Sequence, residues 1–316
     1  MFIKQAFNYH HNFWRYLLGV SIIIFAVILG QIPLVVAMIM EGGMDVLGME
    51  QGEMLKVLDS NLNLFLLLLT YAVGLFAIFF VVKFIHYQPI LAVTTSRKKM
   101  DWGRFFFGFG LVAIFSLSVT AFDYYSNPQD YLVNFKPEPF FIMLIIALIM
   151  IPLQTSFEEY LFRGYLMQGI GVLVKNKWVP LILTSVVFGG LHFFNPEVTK
   201  MGNIIMIYYI GTGFLLGIMT LMDEGMELAL GFHAGNNLLT AVLVTADWTA
   251  FQTNSLLKDI SDPTSGVDVL IPIFVVYPLF LFIMAKRYGW SDWKEKLFGK
   301  VEAPVVDNNV QNIENS

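Results

Sequence analysis

The stretch that decides the fold is Phe140–Arg163, FFIMLIIALIMIPLQTSFEEYLFR. Its apolar part, Phe140–Phe157, is long enough to cross a bilayer, which takes about 20 apolar residues in a helix. It runs straight into Glu158, Glu159 and Arg163. Charged side chains at membrane depth are costly and therefore rare, and where they occur they mark function by default. Residues four apart share a helix face, while neighbours are about 100° apart. Glu159 and Arg163 thus fall on one face as an ion pair, and Glu158 points elsewhere. One glutamate is structural on this reading and the other is free for chemistry.

Composition extends the membrane reading to the whole chain. Hydrophobic residues make up 57% and charged residues 14%, against roughly 45–50% and about 25% in a soluble domain. Eight apolar runs are candidate spans: 16–40, 61–85, 105–122, 140–162, 179–194, 203–222, 228–246 and 268–286. The expected fold is all-α, a polytopic helical membrane protein of about eight transmembrane helices with an intramembrane site. Residues 1–139 hold an interfacial segment (Met1–Tyr16) and three spans. Residues 140–245 form a motif-bearing core, 246–300 the last span and its flanks, and 301–316 a polar tail of disordered composition.

Lysine and arginine set the orientation. Lys4, Arg15, Lys83, Arg97, Lys98, Lys99, Arg104, Lys175, Lys177, Lys286, Arg287, Lys294, Lys296 and Lys300 fall on one set of connections, and only Lys56, Lys136, Lys200 and Lys258 on the other. The positive-inside rule then puts both termini in the cytoplasm. The net charge of −5 gives no reason to expect nucleic acid, and with no cysteine there are no disulfides and no thiolate metal sites.

Two later apolar segments each carry a histidine at helical spacing from a partner: Phe188 to His192, and His233 to Asn237. Each feature has a bland reading, as a solvated helix end, an interfacial histidine or a core histidine. One shared site explains all three together. Depth supports it in part. Glu158 lies 17 residues before Lys175 and His192 lies 15 after Lys177, both about 22–25 Å along their helices at 1.5 Å per residue. His233 is six residues past Glu227, and matches that depth only if the Asp223–Glu227 turn dips inward or the helices tilt strongly. Gly189 and Gly190 thin their helix for close approach, and Gly211, Gly213 and Gly217 read as packing residues.

Without a cysteine nucleophile or a Gly-x-Ser-x-Gly elbow, a hydrolytic site must activate water. Glu158 suits a general base, His192 shares the water or supplies the leaving-group proton, and Asn237 with His233 can donate to an oxyanion. A metal variant uses Glu158, His192 and His233 as ligands to Zn²⁺ or another divalent ion, converging from different helices rather than from one local motif.

In these residues the chain resembles the CPBP (Abi) family of intramembrane proteases, related to type II CAAX prenyl endopeptidases. Its pattern is Glu-Glu-x-x-x-Arg, then Phe-x-x-x-His, then His-x-x-x-Asn, matched here by Glu158–Arg163, Phe188–His192 and His233–Asn237 in order. The resemblance implies Glu158 as the main catalytic carboxylate with His192 beside it. It implies support from Glu159 and Arg163, and His233 with Asn237 at the oxyanion or at a metal. The implied partners are the lipid bilayer and a membrane-anchored or hydrophobic peptide or protein substrate. Two other readings stay open: a non-proteolytic membrane immunity or scaffold protein, and a proton-coupled transporter, although no pair of broken helices in related halves supports the latter.

Overall fold

The computed structural model describes residues 1–263 and 267–303. The polar tail expected at 301–316 therefore lies almost wholly outside the described residues. Among the described residues, five helices are long and apolar enough to cross a membrane. They are α1 (Phe13–Gly42), α2 (Ser60–Ile85), α3 (Trp102–Ser126), α4 (Pro137–Val174) and α6 (Ile205–Asp223). The remaining expected spans are also helical but shorter: α5 (Trp178–Gly190), α7 (Glu227–Leu243) and α8 (Tyr277–Tyr288). The chain is a multi-pass helical membrane protein. Most large apolar side chains of α1 and α3, such as Phe25 and Phe106, remain exposed on its outside, as lipid-facing residues do.

Local chemistry sets the helix ends. Asp59 caps α2 by accepting from the Asn61 and Leu62 N–H groups, and Asp101 caps α3 through Arg104 N–H. Pro137 starts α4, where its missing N–H costs nothing. Lys175 and Glu224, at φ +58° and +57°, end α4 and α6 in the left-handed conformation. Helix α4 does not stop at the charged motif. It continues through it as a π-helical turn, Tyr160–Leu166, a local widening often found at functional sites.

Glycines set how closely the helices around the site approach. A Cβ on Gly231 of α7 would overlap the Phe105 carbonyl of α3, and one on Gly108 would lie 2.5 Å from the Leu228 carbonyl oxygen. A Cβ on Gly213 of α6 would lie 2.7 Å from the Ser185 carbonyl of α5. Gly189, Gly211 and Gly217 also face packed neighbours, whereas Gly190 faces open space. Backbones this close gain dispersion and lose no side-chain entropy.

One end of the bundle is densely tied. Gln168 bonds the carbonyls of Phe2 and Ala92, Lys177 reaches Glu295, and Lys296 pairs with Glu224 at 2.6 Å. The Asp223–Glu227 turn lies beneath this layer. Thr95 bridges Gly225, and Arg97 pairs with both Asp223 (2.9 Å) and Glu227 (3.0 Å), while Arg104 and Trp290 also bond Asp223. The turn is buried beneath these segments, and His233, six residues past Glu227, lies level with Glu159, to which it bonds. The N-terminal segment departs from the interfacial expectation in part. Phe13 and Trp14 are exposed, but Phe2 and Ile3 are buried at the start of a 3₁₀ helix, Ile3–Asn8, packed on the end of α4.

The opposite end carries a small sheet that the apolar periodicity does not reveal. Strands β1 (Tyr131–Val133), β2 (Val244–Ala246) and β3 (Leu257–Asp259) pair in the order β1-β3-β2, with β1 antiparallel and β2 parallel to β3. Three-residue strands are too short for a period-two pattern to stand out.

Candidate active site

Four helices converge at mid-bundle. Helix α4 supplies Gln154, Glu158, Glu159 and Arg163; α5 supplies Phe188, with His192 in the turn after it; α6 supplies Gly213 and Tyr209; α7 supplies His233 and Asn237. Glu159 and Arg163 form an ion pair at 3.0 Å with both side chains fully buried, and Arg163 also donates to the Gly213 carbonyl at 3.0 Å. The guanidinium lies 4.4 Å above the Phe188 ring, a cation–π contact that replaces some of its lost hydration.

His233 binds the two glutamates together. Its Nδ1 donates to Glu159 Oε1 at 2.8 Å, and its Nε2 faces Glu158 Oε2 at 3.4 Å. The other oxygen of Glu158 accepts from Gln154 Nε2 at 2.8 Å. Gln154 Oε1 in turn accepts from Asn237 Nδ2 at 3.1 Å, and Asn237 Oδ1 accepts from Asn236 at 3.1 Å. Glu158 is thus held from both sides while Glu159 is fixed in the ion pair, as their different helix faces require.

His192 sits just beyond α5, in the turn that follows Gly190. Its Nδ1 donates to the Phe188 carbonyl at 2.9 Å, and its ring stacks on Tyr209 with centroids 4.4 Å apart. A carbonyl only accepts, so Nδ1 carries a proton, and in the neutral ring Nε2 is the acceptor. Among the described residues His192 makes no hydrogen bond to Glu158. Phe188 stands between the groups, 5.0 Å from the His192 ring and 6.0 Å from that of His233.

The structure thus brings Glu158, Glu159, Arg163, His233 and Asn237 into one bonded network, with His192 beside it across Phe188. Gln154 and Tyr209 were not singled out in the sequence. Gln154 had a signal, an amide one turn before Glu158 in an apolar run. Tyr209 had none, because its stacking depends on how α6 crosses α5.

Of the three donors expected for a metal, Glu158 and His233 face each other, while His192 lies across Phe188. A metal ligand needs a nitrogen lone pair; with Nδ1 donating to Glu159, a neutral His233 keeps one on Nε2, the nitrogen that faces Glu158. Among the described residues, no three His, Cys, Asp or Glu side chains come together as a ligand group.

Comparison with known proteins finds similarity over the segment that carries these residues. Residues 137–239 match the family described as type II CAAX prenyl endopeptidase Rce1-like. An uncharacterized protein of Bacillus subtilis (strain 168), YyaK, is 36% identical over 191 residues, which is 59% of this chain and 63% of the relative. The chain thus matches less than two thirds of that relative's length. No solved structure matches. All three motifs fall inside the matched segment, residues 137–239, which is similar to the Rce1-like family.

Proposed function

We propose that the protein is an intramembrane endopeptidase that hydrolyses a peptide bond of a membrane-associated protein or peptide. The observation that carries this reading is the position of Glu158, between Gln154 and a His233 that Glu159 already orients. Such an arrangement suits a general base whose acquired proton is stabilised by its neighbour.

In this mechanism Glu158 takes a proton from water while His192 Nε2 accepts a hydrogen bond from the water's other O–H, which stays intact. The resulting hydroxide oxygen bonds to the scissile carbonyl carbon, whose π pair moves onto oxygen. Asn237 has two N–H groups on Nδ2 and spends one on Gln154, so the second serves the oxyanion. Collapse of the tetrahedral adduct breaks the C–N bond, and the proton held between Glu158 and His233 passes to the leaving amine. Arg163 and Glu159 touch no reacting atom and act by holding His233.

The test is cleavage of a panel of membrane-anchored peptides by purified protein, with and without a chelator. Glu158→Gln and His192→Ala are expected to lower turnover by about 10²–10⁴-fold, the range for loss of an acid–base group. Chelation is expected to leave turnover unchanged, and loss of activity restored by Zn²⁺ would overturn the side-chain mechanism. Variants that cleave as fast as the parent would remove the site assignment. An intact protein that cleaves nothing in the panel would favour the immunity or scaffold reading.

A further inference from the structure

Exposure of the site is graded along the molecule. Towards the end that holds residues 2 and 300, Glu159 and Arg163 are fully buried, and α7 is buried without interruption from Glu227 to Gly235. That end is closed by the ion pairs of Arg97 and Arg104 with Asp223 and Glu227, and by the packed segment around Phe2. Beyond Gly235 the same helix opens: Asn236 and Asn237 are half-buried and Thr240 is exposed. His233, Asn237 and Thr240 follow at spacings of four and three, so they share one face. That face leads from the glutamates towards β2.

The facing rim is the turn after α5, where Leu191, Phe193 and Phe194 are exposed beside half-buried His192. Between the two rims runs a seam, with residues 191–204 on one side and 244–263 on the other. Two polar links cross it. Lys200 pairs with Asp262 at 2.7 Å, and both are well exposed. Glu197 Oε1 accepts from the Ala250 N–H at 2.8 Å, while its other oxygen is buried without a partner. Exposed ion pairs contribute little, so the Glu197 contact is the stronger of the two.

We infer that the site is reached from the end of the molecule opposite the termini, through the seam between residues 191–204 and 244–263, and that Glu197 clasps this seam. The inference rests on the peptidase reading and names the face from which its substrate arrives. The apolar rim suits a hydrophobic or membrane-anchored segment presented there. With both termini cytoplasmic, as the charge asymmetry expects, that face is the outer one.

The chain has no cysteine, so single thiols report access directly. Thr240→Cys and, as a second reporter, Asn236→Cys are compared with Lys98→Cys, which marks the termini end. Each is treated with a membrane-impermeant maleimide in sealed vesicles of either orientation. The Thr240 and Asn236 thiols are expected to label from the face opposite to that which labels the Lys98 thiol. Labelling from the same face, or from neither face while the Lys98 thiol labels, overturns the route. Adding Glu197→Ala is expected to speed labelling at position 240 several-fold. Glu197→Gln, which keeps an acceptor oxygen for Ala250, is expected to leave it unchanged, and neither changes labelling at 98. An unchanged rate with Glu197→Ala overturns the clasp. No cleavage is measured, so these outcomes bear on access alone and leave the peptidase test separate.

Discussion

Glu159 Oε1 accepts from His233 Nδ1 at 2.8 Å while it also takes Arg163 NH1 at 3.0 Å. One carboxylate oxygen therefore ties α4 to α7 and fixes the orientation of a histidine that faces the second glutamate. Two adjacent residues of one helix are thereby divided in role: Glu159 is held by a guanidinium and an imidazole, and Glu158, among the described residues, meets an amide and the far nitrogen of the same ring.

Arg163→Ala leaves Glu159 buried without its cation. Breaking a buried pair in this way costs about 3–5 kcal/mol, and both partners are fully buried. The variant is expected to unfold at a lower temperature in detergent and to accumulate poorly. Glu158→Gln removes no ion pair with Arg163 and is expected to unfold close to the parent. Thermal unfolding of the two variants side by side checks this, and equal destabilisation would contradict the division of roles.

Gln154→Ala removes both the donor to Glu158 and the acceptor of Asn237. Buried polar groups left without a partner cost about 1–3 kcal/mol. If that cost falls on the transition state, turnover drops about 5–150-fold. Kinetics on any substrate from the peptide panel would show the loss mainly in kcat, because Gln154 positions Asn237 for an oxyanion that exists only in the transition state.

Helix α3 offers a paired test of close packing. Gly231→Ala drives a methyl group into the Phe105 carbonyl and is expected to cost about 1–3 kcal/mol by overpacking. It also pushes α7 outward two residues before His233. Gly110→Ala, on the same helix as Phe105, meets nothing within 4 Å and is expected to be neutral, or to stabilise by about 0.5–1 kcal/mol through helix propensity. Thermal shifts of opposite sign would confirm that the α3–α7 contact, not glycine content, limits this region.

At the termini end, His86 is 1% exposed, with Nδ1 on the His10 carbonyl (2.6 Å) and Nε2 at the Tyr165 hydroxyl (2.9 Å). Burial lowers its proton affinity below the usual value of 6.5, and nearby Arg15, His10 and His11 lower it further, against a raising effect from the His10 carbonyl bond. The unfolded chain then binds a proton before the folded one does. The neutral ring contributes its full stability above about pH 6.5, and that contribution is lost as pH falls below this value. Unfolding temperature is expected to drop between pH 7.5 and 5.5, with a shallower slope in His86→Gln.

Much of the site was legible because its residues lie at helical spacings. The pairing of Glu159 with Arg163 follows from an i,i+4 interval, and a π turn beginning at Tyr160 leaves it intact. Hydropathy located the helices, yet α5 has only 13 residues and stops before His192. That histidine was expected on a span and instead lies in the turn beyond one. The burial of Phe2 and the three-stranded sheet were also invisible, since each depends on segments more than a hundred residues apart in the chain.

The sequence by itself determined that the chain is helical and lives in a membrane, and that a carboxylate pair, two histidines and an amide sit in or beside its apolar segments. Composition and local periodicity are enough for that, because a lipid environment allows few backbone structures. Only the tertiary structure decided that His233 bonds Glu159 and faces Glu158, that Gln154 links Glu158 to Asn237, and that the Asp223–Glu227 turn is buried deeply enough for α7 to reach them. Those relations depend on crossing angles and helix depth. Glycine contacts such as Gly231 on Phe105 and Gly213 on Ser185 set them through space, and helical period within one segment carries no record of a partner in another.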